Sequence, residues 1–168
     1  MNKGILILGS SNSYGETQKI SSYIIETLGI PIIDLNKKNI SGFDYEFKNR
    51  DDDFHSLISE VVENYNLIII ATPVYWYTMS GIMKNFIDRL SDCLKIEKDT
   101  GRKLRGIKMA VVSCGSDHEL KVGFHMPFIE TARYLGMDYI QDVHCWLENN
   151  AIPHQVRTKL YHFITQIQ

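Results

Sequence analysis

A chain of 168 residues, 44% hydrophobic and 23% charged, has the makeup of a soluble globular protein and the length of one domain spanning 1–168. Eighteen Lys and Arg against 20 Asp and Glu leave a formal charge of −2, which argues against nucleic acid or an anionic membrane as the main partner. Three widely spaced cysteines without a CxxC pair argue against a disulfide framework or a Cys-rich metal site, and the short apolar stretch near the N-terminus suits neither a signal peptide nor a membrane span, so a reducing cytoplasm is expected.

The elements follow in chain order. Ile5-Leu6-Ile7-Leu8 is wholly apolar, as a strand buried on both faces should be. Ile20, Ile24 and Leu28 then recur at helical spacing, and Gly29 closes that helix. A second strand is predicted over 31–35 and a polar loop over 36–50. Asp51-Asp52-Asp53 precedes Phe54, Leu57, Ile58, Val61, Val62 and Tyr65; the acids read as the capped start of an amphipathic helix. Residues 67–71 are a third buried strand, 72–79 a loop, and Ile82, Met83, Phe86, Ile87 and Leu90 mark a third helix.

Residues 95–108, with six basic side chains, read as a surface connection. A fourth strand over 109–112 leads into a polar loop over 113–119. Phe124, Phe128, Ile129, Ala132 and Leu135 give a fourth helix, ended by Gly136. A less apolar strand over 139–143 and a final helix following Pro153 complete the chain. Strands alternating with helices predict an α/β fold, a doubly wound parallel sheet covered on both faces. In the order 2-1-3-4-5 the loops after strands one, three and four meet where the order reverses, which is where such sheets bind ligands.

Those three loops carry the unusual residues. Gly9-Ser10-Ser11-Asn12-Ser13-Tyr14-Gly15-Glu16-Thr17 has neither the lysine of a Walker loop nor GxGxxG. Its hydroxyls, amide and glycines at a helix start suit a phosphate monoester held by neutral donors. Thr72 to Gly81 holds Tyr75-Trp76-Tyr77; three consecutive aromatics cannot all face a core, so they form a stacking surface or a partner interface. Pro73 fixes the turn and Ser80 caps the next helix. A flat ring against the second loop, with its phosphate in the first, describes flavin mononucleotide (FMN) and, less well, an adenine nucleotide. The histidines show no metal-ligand spacing, and no metal is expected.

GSSNSYGET, ATPVYWYTMSGIMKNFIDR and SCGSDHE resemble the three ligand loops of the flavodoxin-like NAD(P)H-dependent FMN reductase and quinone reductase superfamily. Glu130 to Met137 is similar to a further segment of that superfamily, so the likeness runs along nearly the whole chain. The resemblance implies a flavodoxin-like five-stranded sheet, bound FMN, NAD(P)H as co-substrate and a homodimer or higher homo-oligomer. It places Ser10, Ser11, Asn12, Gly15, Glu16 and Thr17 on the flavin phosphate. Pro73, Val74, Tyr75, Trp76 and Tyr77 fall on the isoalloxazine, and Cys114, Gly115 and Ser116 on the third loop.

Asn12 stands where many members carry Arg, and Glu16 where many carry Asn. The implied reaction takes hydride from NAD(P)H through FMN to a quinone, flavin or similar small acceptor, with ping-pong kinetics. No catalytic side chain is expected, since the flavin does the chemistry; Tyr77 and His118 are candidate substrate contacts. Two rivals are a flavodoxin-type electron carrier, which the near-neutral charge disfavours, and a flavin-free nucleotide-binding or interaction protein of the same fold.

Overall fold

The computed structural model describes residues 3–168; Met1 and Asn2, the first two of the expected 1–168 domain, lie outside them. Its strands are β1 (Gly4–Leu8), β2 (Ile32–Asp34), β3 (Leu67–Pro73), β4 (Lys108–Cys114) and β5 (Asp138–Cys145). They form one parallel sheet in the order β2-β1-β3-β4-β5, as the alternating pattern predicts. The helices are α1 (Glu16–Leu28), α2 (Asp53–Asn64), α3 (Gly81–Arg89), α4 (Asp92–Lys95), α5 (Lys98–Lys103), α6 (Met126–Leu135) and α7 (His154–Ile167), with a 3-10 turn over Leu35–Lys37.

Alternation along the central strands makes two cores. Ile5, Ile7, Ile68, Ile70, Met109 and Val111 meet the apolar faces of α2, α3 and α6. Leu6, Leu8, Leu67, Ile69, Val112 and Val143 meet α1 and α7. β1 and β3 are buried along their whole length, the reason their sequences show no polar alternation.

β2 is shorter than expected and gives way to the 3-10 turn at Leu35, and β5 runs two residues past its expected end; three further differences have a clear physical reason. β3 and β4 run on into the segments expected as loops, because Thr72 pairs with Ser113, Pro73 with Cys114, and Val74 N–H donates to the Cys114 carbonyl at 2.8 Å. Pro73, which has no N–H to give, ends its strand. The basic connection contains the short helices α4 and α5. A Cβ on Gly101 would lie 2.2 Å from the Cys93 carbonyl oxygen, so glycine alone permits that contact. Phe124 belongs to the turn before α6, whose start is set by Pro127 in its first turn.

The acidic triplet does cap α2: Asp52 Oδ1 accepts from Phe54 N–H at 3.0 Å. It also serves a buried knot. Arg89, 1% exposed, reaches Asp52 Oδ2 at 2.5 Å and Asp92 Oδ2 at 2.9 Å. Its remaining N–H groups donate to the carbonyls of Ser41 and Asn49, each at 3.1 Å, fixing the long loop after β2 to the end of α3. Burial alone would raise the Asp52 carboxyl, but the Arg89 hydrogen bond, with the N–H groups of Phe54 and Ser41, outweighs it and holds the group below 3.8.

Candidate functional site

The loops after β1, β3 and β4 lie side by side because those strands are neighbours. Hydrogen bonds tie them together. Ser80 Oγ donates to the Gly9 carbonyl at 2.5 Å and accepts from Met83 N–H at 3.1 Å, so the expected cap of α3 also clasps the end of β1. Ser80 N–H donates to Thr72 Oγ1 at 3.0 Å. Gly9 is required by packing: a Cβ there would lie 2.7 Å from the Met83 side chain.

The first loop is organised by its own side chains. Asn12 Oδ1 accepts from Tyr14 N–H at 3.0 Å, and the buried Ser10 hydroxyl bridges Asn12 N and O, each at 3.2 Å. The Asn12 carboxamide is thereby engaged within the loop. Ser11 and Glu16 are exposed, and Thr17 is buried with its hydroxyl against the Cys114 thiol, joining the first loop to the third. α1 starts at Gly15, and no side chain caps it. Its first intrahelical bond runs from Lys19 N–H to Gly15 O, so the N–H groups of Glu16, Thr17 and Gln18 have no acceptor in the helix. Open amides and the positive end of a helix dipole suit an anion, and the donor set fits a phosphate monoester.

The second loop is a tight two-residue hairpin. Tyr75 N–H donates to Thr78 O at 2.9 Å and Thr78 N–H to Tyr75 O at 3.1 Å. Trp76 and Tyr77 between them have φ of 47° and 66°. Such turns favour Asn-Gly, because a bulky side chain there is strained. The three aromatics are 45%, 91% and 61% exposed, so neither the backbone nor a core accounts for them. Strain at an exposed aromatic turn is characteristic of ligand clamps. Among the described residues, the N–H groups of Trp76 and Tyr77 have no partner.

Between the second and third loops lies a pocket of about 210 Å³, lined by Val74, Trp76, Tyr77, Gly115, Ser116 and His144 among others. It suits one end of an extended flat ligand whose phosphate lies in the first loop, so the two loops together fit FMN. Pro73 and Cys114 are the last residues of β3 and β4, and neither they nor Tyr75 lines the pocket. Burial, reinforced by the charge of Glu16, pushes the Cys114 thiol up to about 12, which removes it as a nucleophile. His118 stands apart from the pocket lining, stacked on Trp146 at 4.4 Å with an interplanar angle of 18°. Among the described residues, no three His, Cys, Asp or Glu side chains are arranged to hold a metal ion.

Sequence reasoning missed His144 and the Arg89 knot. His144 reads as one more residue of an edge strand, and only the register brings it beneath the third loop. Arg89 lies within the FIDR segment, and while Asp92 is close in sequence, its other partners Ser41, Asn49 and Asp52 are 37 to 48 residues away.

The family model described as NADPH-dependent FMN reductase matches residues 3–150. The chain is 28% identical over 144 residues to YwqN of Bacillus subtilis (strain 168), provisionally named an NAD(P)H-dependent FMN-containing oxidoreductase; the match covers 80% of this chain and 79% of that protein. It is 27% identical over 96 residues to an NADPH azoreductase of Bacillus sp. (strain OY1-2), covering 57% of this chain and 54% of that protein. Among solved structures, the Trp repressor binding protein from Bacillus subtilis aligns with a TM-score of 0.77 at 22% identity, over 99% of this chain and 98% of that one. An FMN-dependent NADH-azoreductase from Bacillus anthracis, solved with FMN, aligns at 0.68 and 15% identity, over 99% and 97%. These two are alike in fold.

Proposed function

Because the chain belongs to the NADPH-dependent FMN reductase family and is an FMN-dependent NAD(P)H oxidoreductase, we propose that it reduces a quinone, a flavin or a similar flat acceptor in two successive half-reactions at one open site. FMN, when bound, supplies the redox chemistry, accepting hydride from NAD(P)H and yielding it to the acceptor. The chain binds, orients and shields.

The phosphate falls to Ser10, Ser11, Asn12, Gly15, Glu16 and Thr17. Their contribution is neutral donors and the uncapped start of α1; Glu16 offers its main-chain N–H while its carboxylate stays in solvent. Pro73 to Tyr77 and Cys114 to Ser116 form the two walls for the ring. The unpartnered N–H groups of Trp76 and Tyr77 are free to hold its polar edge, where negative charge develops on reduction. Tyr77, which lines the pocket, is the assigned substrate contact; His118, stacked on Trp146 outside the lining, would meet only a substrate that extends beyond the pocket. No side-chain acid or base is assigned.

The observation that carries this reading is the pairing of an uncapped helix start with a strained, exposed aromatic turn on neighbouring strands. The test is a visible spectrum of the protein after adding FMN and removing the excess, then anaerobic NAD(P)H. Retained flavin bands that bleach are expected, with parallel initial-rate lines when NAD(P)H and a quinone are varied. Retention without bleaching would instead describe an electron carrier.

The reading includes a homodimer, supported by the groove between α3 and α6, where Leu94 and Tyr134 are exposed beside Ile87 and Leu90. Sedimentation at increasing concentration measures it. A reducing, cytoplasmic setting is supported by three buried free thiols. No helix among the described residues is long and apolar enough to cross a membrane.

A further inference from the structure

The third loop is anchored by a side chain that does not belong to it. Among the described residues, the five from Ser116 to Leu120 have one main-chain hydrogen bond to the rest of the chain: the Asp117 carbonyl, 2.8 Å from His144 Nε2. His144 lies next to the end of β5, directly across the ladder from Ser113 of β4, and its Nδ1 is 2.8 Å from Ser113 Oγ.

These partners fix which nitrogen carries the hydrogen in the neutral ring. A carbonyl only accepts, so Nε2 carries the hydrogen. In the neutral ring Nδ1 is then a lone pair, which accepts the Ser113 hydroxyl. Burial lowers the His144 pKa, the charges of Lys159 and His125 act the same way, and the Asp117 contacts oppose them; the neutral form is favoured. The imidazole also supports the loop from below: a Cβ on Gly115 would touch its Cε1 at 3.5 Å. Its ring forms part of the pocket wall with Gly115, Ser116 and Asp117.

We propose that His144 is a positioning residue for the flavin pocket: its Nε2–H holds the Asp117 carbonyl and thereby sets the path of the third loop that receives the ring. The proposal rests on the reading of that loop as part of the flavin site. It deepens that reading by adding a residue outside the three ligand loops. Position and electronic role separate cleanly here, because glutamine and asparagine each copy one nitrogen. His144→Gln keeps a donor near Nε2 and can still hold Asp117. His144→Asn keeps a polar group near Nδ1, facing Ser113, and releases the loop.

The test has two parts. Nitrogen NMR of the wild-type protein without FMN reads the tautomer. A ring protonated at Nε2 is expected; protonation at Nδ1, or rapid averaging of the two, overturns the proposal whether or not flavin binds. Fluorescence titration with FMN then compares the variants, with thermal midpoints measured alongside. His144→Asn should bind FMN about tenfold more weakly, the loss of roughly one hydrogen bond's worth of positioning, and His144→Gln should recover to within about threefold of wild type.

Equal affinity in the wild type and both variants overturns the proposal. So does equal weakening in both variants, since a donor at the Nε2 position would then restore nothing. Failure of the wild type itself to bind FMN would overturn the cofactor reading, and the role given to His144 with it. In that case an Nε2-protonated ring would still identify the contact with Asp117 as real.

Discussion

Two helices begin at the same end of the sheet, after the neighbouring strands β1 and β3, and their first turns are finished in opposite ways. α3 is closed: Ser80 accepts from Met83 N–H, and its hydroxyl reaches back to Gly9. Its other end is closed too, with Arg89 locked to Asp52 and Asp92. α1 is open: Gly15 offers no side chain, and three N–H groups face outward. The same chain that satisfies one helix start with a buried serine leaves the other without a side-chain cap. On the proposed reading, the open start is the one that receives the phosphate.

That contrast can be broken from either side. The largest effect is expected at Arg89. Arg89→Met leaves two carboxylates buried beside an apolar group, and unfolding in urea should show a loss of about 3–5 kcal/mol. Next is Ser80→Ala, which opens the closed helix start; a loss of about 1–2 kcal/mol is expected from the same measurement. Any FMN that the folded variant fails to bind would then reflect the tie to Gly9.

The aromatic turn should behave with the opposite sign. Replacing Trp76 and Tyr77 together by Asn and Gly supplies the residues that positive φ favours and should raise stability by about 1 kcal/mol, while NAD(P)H oxidation falls. At the open helix, Gly15→Asp places an acid at the N-cap itself. Stability should rise by about 0.3–1 kcal/mol as the dipole gains a counter-charge, and FMN affinity should fall about tenfold as the phosphate meets one. Parallel losses in both quantities would mean that the open turn is not an anion site.

The smallest effect is a dependence on pH. His144 has a folded pKa below its ordinary 6.5, so the unfolded chain takes up the proton first. Its contribution is complete above 6.5 and is lost as pH falls from there toward the lower folded value; His144→Gln should flatten that part of the stability profile. Asp52 is also depressed, and its contribution should disappear only as pH falls below 3.8.

The fold was legible because period and composition reflect burial directly. Ile5 to Leu8 and Leu67 to Ala71 could only be strands covered on both faces, and loops that follow neighbouring strands must meet. The unusual composition of the first two loops was legible for the same local reason: serines, glycines and aromatics announce themselves within ten residues. Ser80 as a cap could be read from its place before a helical run.

What could not be read was any role defined across the sheet. His144 gains its meaning from the β4–β5 register, which a bulge between Met109 and Ala110 shifts by one residue. Arg89 gains its own from three segments brought together by packing. The helices α4 and α5 were hidden because the few residues that seat them, Cys93 and Leu104 in the core and Gly101 against the Cys93 carbonyl, are scattered through a stretch whose composition is that of solvated surface.

The two tryptophans occupy opposite extremes of environment. Trp76 is 91% exposed at the mouth of the pocket, whereas Trp146 is 1% exposed beneath the imidazole of His118. Their emission should therefore separate by colour, with a red component that acrylamide quenches and a blue one that it does not reach. A ligand entering the pocket would extinguish the red component first, and loss of the native packing would shift the blue. The chain thus carries two built-in optical reporters, one of occupancy and one of integrity, and needs no label for either.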